Sequence, residues 1–400
     1  MKILTVSTLF PYQNNPKHGI FVETRLRHLM QHDPDIEAKV IAPIPYFPFT
    51  HRVFGGYAEN AKAPMFEVRH GVEVYHPRYL VIPKIGMTLT PTTLANAIYR
   101  QAKKIIASGY DFDLIDGHYF YPDGVAIEMA AKKLSKPFTV TARGTDINLI
   151  PQFEKPKKQI QHVLKTSGHN MAVCEALRQE MLRLGANPEK VTTLRNGVDL
   201  DLFTFSNKQR QQQLRQQLNL PEKQSIIIST GHLIERKGHH LVIEAVSQIA
   251  NGLLLIAGDG PEKKNLHHLV EKIGLESRVI FLGSISQREL ALYYGASDVL
   301  VLASSREGWA NVLLEAMACG TPVVATDIWG TPEVVRTAIA GKLVKREASQ
   351  IAQGLKQLLN ALPQREFTRR YAEQFDWSST SQGQVSIFKQ MLRQQREISK

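Results

Sequence analysis

The sequence predicts an α/β protein made of two doubly wound domains, each a parallel sheet covered by helices on both faces. Three observations support this. Short apolar runs alternate with longer amphipathic segments, the pattern of strands joined by crossover helices. The alternation pauses midway, in a stretch with a turn signal and then many glutamines, and resumes with the same rhythm. The chain is 400 residues long, which exceeds one ordinary core and suits two. With 43% hydrophobic and 22% charged residues, the composition is that of a folded protein.

Residues 3–7 form an apolar run of strand length and 21–30 the helix after it. Residues 39–42 are the next strand, 114–116 lead to a helix over 124–134, and 138–141 are a further strand. In the second half 226–229 precede a helix over 239–249, and 253–257 precede one over 263–273. A strand over 299–303 and a loop over 304–310 lead to a helix over 311–319, which Gly320 and Pro322 stop. Between the two series, Asn196-Gly197 is a turn signal, and a hinge is expected near it. The expected domains are 1–200 and 201–377. The Gln- and Arg-rich residues 209–217 read as a solvated helix. The segment from Phe375 to the end reads as a helix with Val385, Phe388, Met391 and Leu392 at helical spacing, which suits packing on either domain.

The two cysteines, Cys174 and Cys319, lie far apart, which fits a reducing compartment and argues against a disulfide framework or a cysteine metal site. The apolar part of residues 1–7 is too short, and too soon followed by Pro11, for a secretory signal. No apolar run approaches the roughly 20 residues that span a bilayer. A cytoplasmic protein is expected, either free or held on the inner face of the membrane. The formal charge is +12, an excess that attracts anionic partners. No recognition-helix, zinc-finger or aromatic RNP-like pattern accompanies it, so nucleic acid is set aside in favour of an anionic membrane surface or a phosphorylated lipid. Residues 97–106 and 155–165, which mix Lys or Arg with apolar side chains, motivate a peripheral membrane contact.

The chemistry concentrates in Glu307-Gly308-Trp309-Ala310-Asn311-Val312-Leu313-Leu314-Glu315-Ala316-Met317-Ala318-Cys319-Gly320-Thr321-Pro322. A strand, a loop and a helix start make an anion site, because free amides near Asn311 and Val312 and the positive end of the helix dipole favour a phosphate. Glu315 lies beyond that contact, roughly 12 Å from Glu307 at about 1.5 Å per helical residue. One ligand touching both carboxylates is therefore long, with hydroxyls at its two ends and an anion between them. A nucleotide-sugar has that layout. Upstream, Gly231-His232-Leu233-Ile234-Glu235-Arg236-Lys237-Gly238 joins a strand to a helix. A glycine there lets the backbone approach a ligand, and a lysine near a helix start neutralises a diphosphate. Gly258-Asp259-Gly260 resembles a dinucleotide fingerprint but lacks its third glycine, since Lys263 stands there. The adjacent pairs His239-His240 and His267-His268 point to different sides of a helix without a carboxylate cluster, and are assigned to surface or core rather than to a metal.

Glu307, seven intervening residues and Glu315, running into Ala-Met-Ala-Cys-Gly-Thr-Pro-Val-Val, resemble the signature of family 4 retaining glycosyltransferases of the GT-B fold, the group 1 glycosyltransferases. The resemblance covers nearly the whole chain and is most specific from Gly231 to Glu333. It implies two Rossmann-like domains facing a deep cleft, a terminal helix over 378–400 that packs back on the first, and closure about the hinge. The implied reaction moves a hexose-type sugar, with retention, from a nucleotide diphosphate donor to a hydroxyl of a lipid-linked or polysaccharide acceptor in cell-envelope or exopolysaccharide synthesis. No metal and no cofactor besides the donor is implied. The implied catalytic residues are Glu307 at the sugar hydroxyls, His118 facing the sugar and Lys237 at the departing diphosphate.

Donor binding is implied for Gly19, Gly231, His232, Arg236, Lys237, Gly258, Asn311, Val312, Leu313 and Glu315, the last accepting hydrogen bonds from the ribose. His232 stands where the family usually has arginine, and Arg236 or a protonated His232 is the candidate to compensate. In the first domain, Phe10-Pro11 and His18-Gly19-Ile20-Phe21-Val22-Glu23 resemble the family's first strand-loop-helix, with Gly19 either facing the donor or simply turning the chain. His118 follows Asp116-Gly117 at a strand end, where open parallel sheets bind ligands. On the acceptor side, Arg143 suits an acidic acceptor or diphosphate, and Asp146 suits either a hydroxyl or a structural salt bridge. Two rivals stand beside glycosyl transfer: a sugar-nucleotide epimerase of the same fold, and a non-catalytic sugar-nucleotide or glycan-binding protein.

Overall fold

The computed structural model describes residues 1–46, 60–81 and 88–398. The chain divides into two compact units, Met1–Arg195 with Ser378–Lys400, and Asn196–Trp377. The division thus falls slightly before the expected boundary at residue 200. Residues 399–400 of the expected terminal helix lie outside the described residues.

The first unit carries β1 (Lys2–Val6), β2 (Glu37–Ile41), β3 (Ile44–Pro45), β4 (Phe66–Arg69), β5 (Val72–Tyr75), β6 (Arg78–Tyr79), β7 (Leu114–His118), β8 (Phe138–Ala142), β9 (His169–Ala172) and β10 (Val191–Thr193). Eight of them form one sheet in the order β10-β9-β8-β7-β1-β2-β5-β4, and β3 pairs with β6 separately. Neighbours in the large sheet are parallel, as predicted, except at one edge, where β4 and β5 are antiparallel. This hairpin departs from the purely parallel expectation. Arg69 faces Val72 across it, and His70 and Gly71 between them have φ of 49° and 81°, the left-handed pair that a two-residue hairpin turn requires. Strands β7 and β8 are buried along their whole length, as parallel strands covered on both faces are, even though β8 alternates Phe138, Val140 and Ala142 with Thr139 and Thr141.

The terminal helix Ser378–Ile398 belongs to this unit's core. Val385, Ile387, Phe388 and Met391 pack with Ile3, Val40, Leu114 and Met171 of the sheet and with Val22, Leu26 and Leu29 of the helix Ile20–His32.

The second unit has β11 (Ser225–Thr230), β12 (Gly252–Ala257), β13 (Val279–Gly283), β14 (Val299–Leu302), β15 (Val323–Thr326) and β16 (Gly341–Val344). They form one parallel sheet in the order β13-β12-β11-β14-β15-β16. Its core joins Ile227, Leu254, Ile256, Val299, Val301 and Val324 to helix residues such as Val242, Val246, Ile351 and Leu355. The strand order reverses between β11 and β14 here, and between β1 and β7 in the first unit. In open parallel sheets ligands bind at such switch points, beside the carboxyl ends of the strands.

Three expectations are corrected. Asn196-Gly197 is not the turn; the chain turns at 200–202. Gly197 is instead where the backbone of Asp376 and Trp377 passes, since a Cβ there would lie 2.6 Å from Asp376 C and Trp377 N. The helix Lys208–Gln217 is not simply solvated, because Gln211 and Arg215 are buried. Arg215 donates to Ala296 O at 2.9 Å and to Asp298 at 2.7 Å, and Gln211 donates to Ser297 O at 2.9 Å. They satisfy carbonyls at the end of the helix Gln287–Ala296, which has no intrahelical donors left for them. Finally, the apolar members of the two basic stretches, Ala97, Ile98, Ala102 and Ile105, and Ile160, Val163 and Leu164, face the core from the helices Thr90–Ala107 and Glu154–Thr166. That is ordinary amphipathic packing, and only their charged faces are left for a membrane. Among the described residues no helix is long and apolar enough to cross one.

Phe388 is fully buried, so Phe388→Ala is expected to destabilise the first unit by about 3–5 kcal/mol. Denaturant unfolding of the full chain reads this out. A loss under about 1 kcal/mol would mean that the terminal helix is dispensable to that core.

Candidate functional site

In the second unit, the loop that follows β11 lies against backbone on both sides. Gly231 has φ 138° and Gly258 has φ 154°, and a Cβ on Gly258 would sit 1.9 Å from Gly231 O. A Cβ on Gly260 would lie 2.5 Å from Leu233 O, and Leu233 N–H donates to Asp259 O at 2.9 Å. The Gly-x-Gly pair therefore supports the β11 loop and need not contact a dinucleotide. On the other side, Gly238 at φ 69° would place a Cβ 2.2 Å from Ala303 O. Ser305 N–H donates to Arg236 O at 2.8 Å, and Arg236 Nη1 donates to Arg306 O at 2.6 Å. The loops after β11 and β14 are thus tied together across the switch point.

That tie brings Lys237 to Glu307. Lys237 Nζ donates to Glu307 Oε1 at 2.5 Å, Ser304 Oγ donates to the same oxygen at 2.6 Å, and Arg236 Nη1 lies 3.6 Å from Oε2. Burial opposes ionisation of Glu307, but Lys237 and Arg236 outweigh it and hold the carboxyl below its ordinary range. The groups expected at the diphosphate and at the sugar hydroxyls therefore meet each other. His232 is exposed.

The helix Asn311–Ala318 begins at Ala310 without a side-chain cap. Asn311 N–H turns to Trp309 O at 3.1 Å, so its amide is not the free donor expected. Asn311 Oδ1 accepts from Asn196 Nδ2 at 3.3 Å. Leu313 is also corrected as a donor-binding residue: its side chain lies in the core and its amide donates to Ala310 O at 3.0 Å. Val312 N–H has no acceptor among the described residues, and it remains as the amide an anion can use. Glu315, a turn later, accepts from Tyr294 Oη at 3.5 Å, and Tyr294 Oη lies 3.2 Å from Thr230 Oγ1. Burial pushes the Glu315 carboxyl up to about 7, so near neutrality it donates as well as accepts. Among the described residues Glu307 and Glu315 have no hydrogen-bond partner in common.

The histidine pairs fall in core and surface. His239 is buried with Nδ1 3.0 Å from Ser229 Oγ, His267 stacks on Phe281 with centroids 3.9 Å apart, and His268 lies 4.0 Å from Glu271.

In the first unit, Gly19 caps the helix Ile20–His32 at φ 63°, and a Cβ there would lie 2.2 Å from Leu9 C and O. A turn role accounts for it in full. Asp123 joins the ends of β1 and β7 by accepting from Thr8 N–H at 2.6 Å and Thr8 Oγ1 at 2.9 Å. Burial pushes its carboxyl up to about 7 against those bonds. Asp146 makes neither the salt bridge nor the open contact expected. It accepts from the amides of Phe120 at 2.8 Å, Gly144 at 2.7 Å and Arg143 at 3.1 Å, and so clamps the loops after β7 and β8.

His118, at the end of β7, is 1% exposed. Its Nδ1 lies 2.7 Å from Arg143 Nη2 and its Nε2 lies 3.3 Å from Asp116 Oδ2. Both ring nitrogens are engaged within the unit. Burial, with Arg143 and Arg25 adding to it against the pull of Asp116, brings the imidazole down to about 4. Arg143 also stacks over Phe21, 5.3 Å from the ring centroid.

Ser304, Tyr294 and Thr230 in the second unit, and Arg25, Asp116, Asp123 and Gln384 in the first, were not singled out by the sequence. Ser304 and Asp116 had a local signal, being within three residues of Glu307 and His118 at strand ends. Thr230, beside Gly231, and Asp123, five residues after His118, had one too, whereas Tyr294, Arg25 and Gln384 reach their sites from distant segments and leave no local trace.

The family described as Glycosyl transferases group 1 matches residues 210–375, and the one described as Glycosyltransferase Family 4 matches residues 35–202. The Bacillus subtilis protein named "Putative teichuronic acid biosynthesis glycosyltransferase TuaC" is 28% identical over 334 residues, 82% of each chain. Among solved structures, a sucrose-phosphate synthase from Thermosynechococcus elongatus superposes with a TM-score of 0.79 at 20% identity, over 98% of this chain and 99% of that one. The Anabaena protein HepE in complex with UDP-glucose gives a TM-score of 0.72 at 21% identity, over 99% of this chain and 100% of the other. The fold is GT-B.

The raised Glu315 carboxyl makes a signed prediction. Its folded value of about 7 exceeds the ordinary 4.5, so ionisation disfavours the folded state, with no effect below about pH 4.5 and the full effect above about pH 7. Glu315→Gln should therefore gain stability relative to the natural chain as pH rises through that window, by about 1–2 kcal/mol after discounting for partial exposure. Paired thermal unfolding at about pH 4.5 and about pH 8 measures it. A difference that is the same at both ends would show that Glu315 ionises freely.

Proposed function

Because the chain belongs to the family 4, group 1 glycosyltransferases, we propose that it moves a hexose-type sugar, with retention, from a nucleoside diphosphate to a hydroxyl of a lipid-linked or polysaccharide acceptor. The observation that supports this most is Lys237 held at 2.5 Å from Glu307, beside the switch point of the second sheet and just before a helix start. In this reading the diphosphate takes Lys237, Arg236 and the Val312 amide, the sugar hydroxyls take Glu307, and the ribose takes Glu315 with Tyr294 behind it.

Negative charge builds on the diphosphate as the glycosidic bond breaks, and cations already fixed in place stabilise it without reorganising. Lys237 and Arg236 supply that charge, so the reading requires no metal. The acceptor oxygen attacks the oxocarbenium-like sugar on the face the diphosphate leaves, and its proton passes to the departing phosphate oxygen. His118 is neutral near pH 7 with both nitrogens engaged, so no proton transfer is assigned to it. Arg143 is the cation assigned to the acceptor's negative charge or to the diphosphate. The UDP-glucose complex of the structurally similar HepE supports a nucleotide-sugar donor. The TuaC name and the +12 charge support an envelope setting on the cytoplasmic face of an anionic membrane.

A thermal-shift panel of UDP, GDP, ADP and CMP with their sugars tests the reading. One nucleoside diphosphate should raise the melting temperature. Glu315→Ala should weaken its binding about tenfold, whereas Glu307→Ala should lower turnover more than affinity. No response to any nucleotide, or unchanged binding by the Glu315 variant, counts against it.

A further inference from the structure

A buried polar chain in the first unit reaches Arg143 from the terminal helix. Arg25 is 1% exposed and donates from Nε to Gln384 Oε1 at 2.7 Å and from Nη1 to Leu194 O at 3.1 Å. Arginine has only donors, so the Gln384 atom that faces it is the carbonyl oxygen, which sets the amide's orientation. Gln384 Nε2 then donates to Asp116 Oδ2 at 2.9 Å. The same oxygen faces His118 Nε2 at 3.3 Å, while Asp116 Oδ1 accepts from Thr139 Oγ1 at 3.2 Å. At the far end Arg143 Nη2 lies 2.7 Å from His118 Nδ1. Arg143 too can only donate, so Nδ1 is the acceptor and the ring proton sits on Nε2, toward Asp116.

We propose that Gln384 is a positioning residue: braced by Arg25 and bonded to Asp116, it keeps His118 a neutral Nε2–H imidazole whose Nδ1 lone pair docks the Arg143 guanidinium. The inference rests on the reading that gives Arg143 a ligand's negative charge. The charged groups around the imidazole are Asp116 on β7, Arg143 after β8 and Arg25 on the helix Ile20–His32. A second proton on His118 would set an N–H against Arg143 and put two cations together in a buried place. The Gln384 N–H counters this by stabilising the Asp116 carboxylate, which otherwise draws that proton onto the ring. The terminal helix is then more than a packing strap, since its one inward amide sets the state of a residue 266 positions away in the chain.

The test uses the full chain labelled with [15N]histidine, with the His118 signals assigned by their loss in His118→Gln. Long-range proton–nitrogen spectra across pH report tautomer and titration directly. The natural chain should hold the Nε2–H tautomer, uncharged, at neutral pH. Gln384→Met, similar in volume but without the N–H, should raise the His118 midpoint by about one pH unit or more. Gln384→Asn, whose amide falls short of Asp116, should shift it in the same direction. Gln382→Met, on the exposed side of the same helix, should leave it where it is. An Nδ1–H tautomer in the natural chain overturns the proposal, as does a folded Gln384→Met or Gln384→Asn that titrates like the natural chain. If Gln384→Met fails to fold, Gln384→Asn and the natural tautomer still decide. A chain that binds no nucleotide would defeat the ligand assigned to Arg143 but leave this spectrum unchanged, so the two failures are distinguishable.

Discussion

Where the order of a parallel sheet reverses, two neighbouring strands send their chains away in opposite directions, and the loops at their carboxyl ends part. In the second unit the loops after β11 and β14 are nevertheless tied together, and the candidate site depends on that tie. It is made mostly of backbone. Gly238 admits the carbonyl of Ala303 at 2.2 Å from the Cβ position that glycine lacks, while Gly258, after β12, admits that of Gly231 at 1.9 Å and braces the β11 loop from the other side. Only because these contacts hold does Lys237 reach Glu307 and does Arg236 reach the carbonyl of Arg306. The first unit solves the same problem with carboxylates. Asp123 joins the ends of β1 and β7, and Asp146 joins the loops after β7 and β8.

A second theme is the work done by buried and half-buried arginines. Arg365 donates to the carbonyls of Gly295, Ser297 and Cys319 at 2.9–3.0 Å, and Arg278 donates to those of Val246 and Gly252 at 2.7 and 3.0 Å. With Arg215 they complete helix ends and strand starts whose carbonyls have no partner in the element itself. Part of the chain's positive charge is therefore internal. Other charges lie on the exposed faces of helices such as Glu154–Thr166.

The periodic parts of the fold were legible in the sequence, because fully buried strands and amphipathic crossover helices leave plain patterns at Ile226, Leu253 and Val299. The β4–β5 hairpin was missed because its signal is two residues, His70-Gly71, in a pattern otherwise set for parallel strands. Gly197 and Gly258 show a limit of reading glycine locally, since both are small for the sake of a chain segment far away in sequence. The site was legible as a set of residues and much less as a set of contacts. Glu307 and Lys237 stood out by motif, but nothing in their spacing showed that they bond to each other. Leu313 matched the motif while its side chain belongs to the core. His118 stood out at its strand end, whereas Arg25 and Gln384, which set its state, come from helices at opposite ends of the chain.

In the proposed reading, Lys237 is a cation shared between Glu307 and a diphosphate. Calorimetric titration of UDP, GDP and ADP into the natural chain, Lys237→Met and Glu307→Gln tests it most directly. For whichever nucleotide binds, Lys237→Met should lose about tenfold or more in affinity, as expected for a charge-assisted bond. Glu307→Gln should bind at least as well as the natural chain, because the lysine is released from its carboxylate. Full affinity in Lys237→Met would show that the diphosphate does not use this lysine.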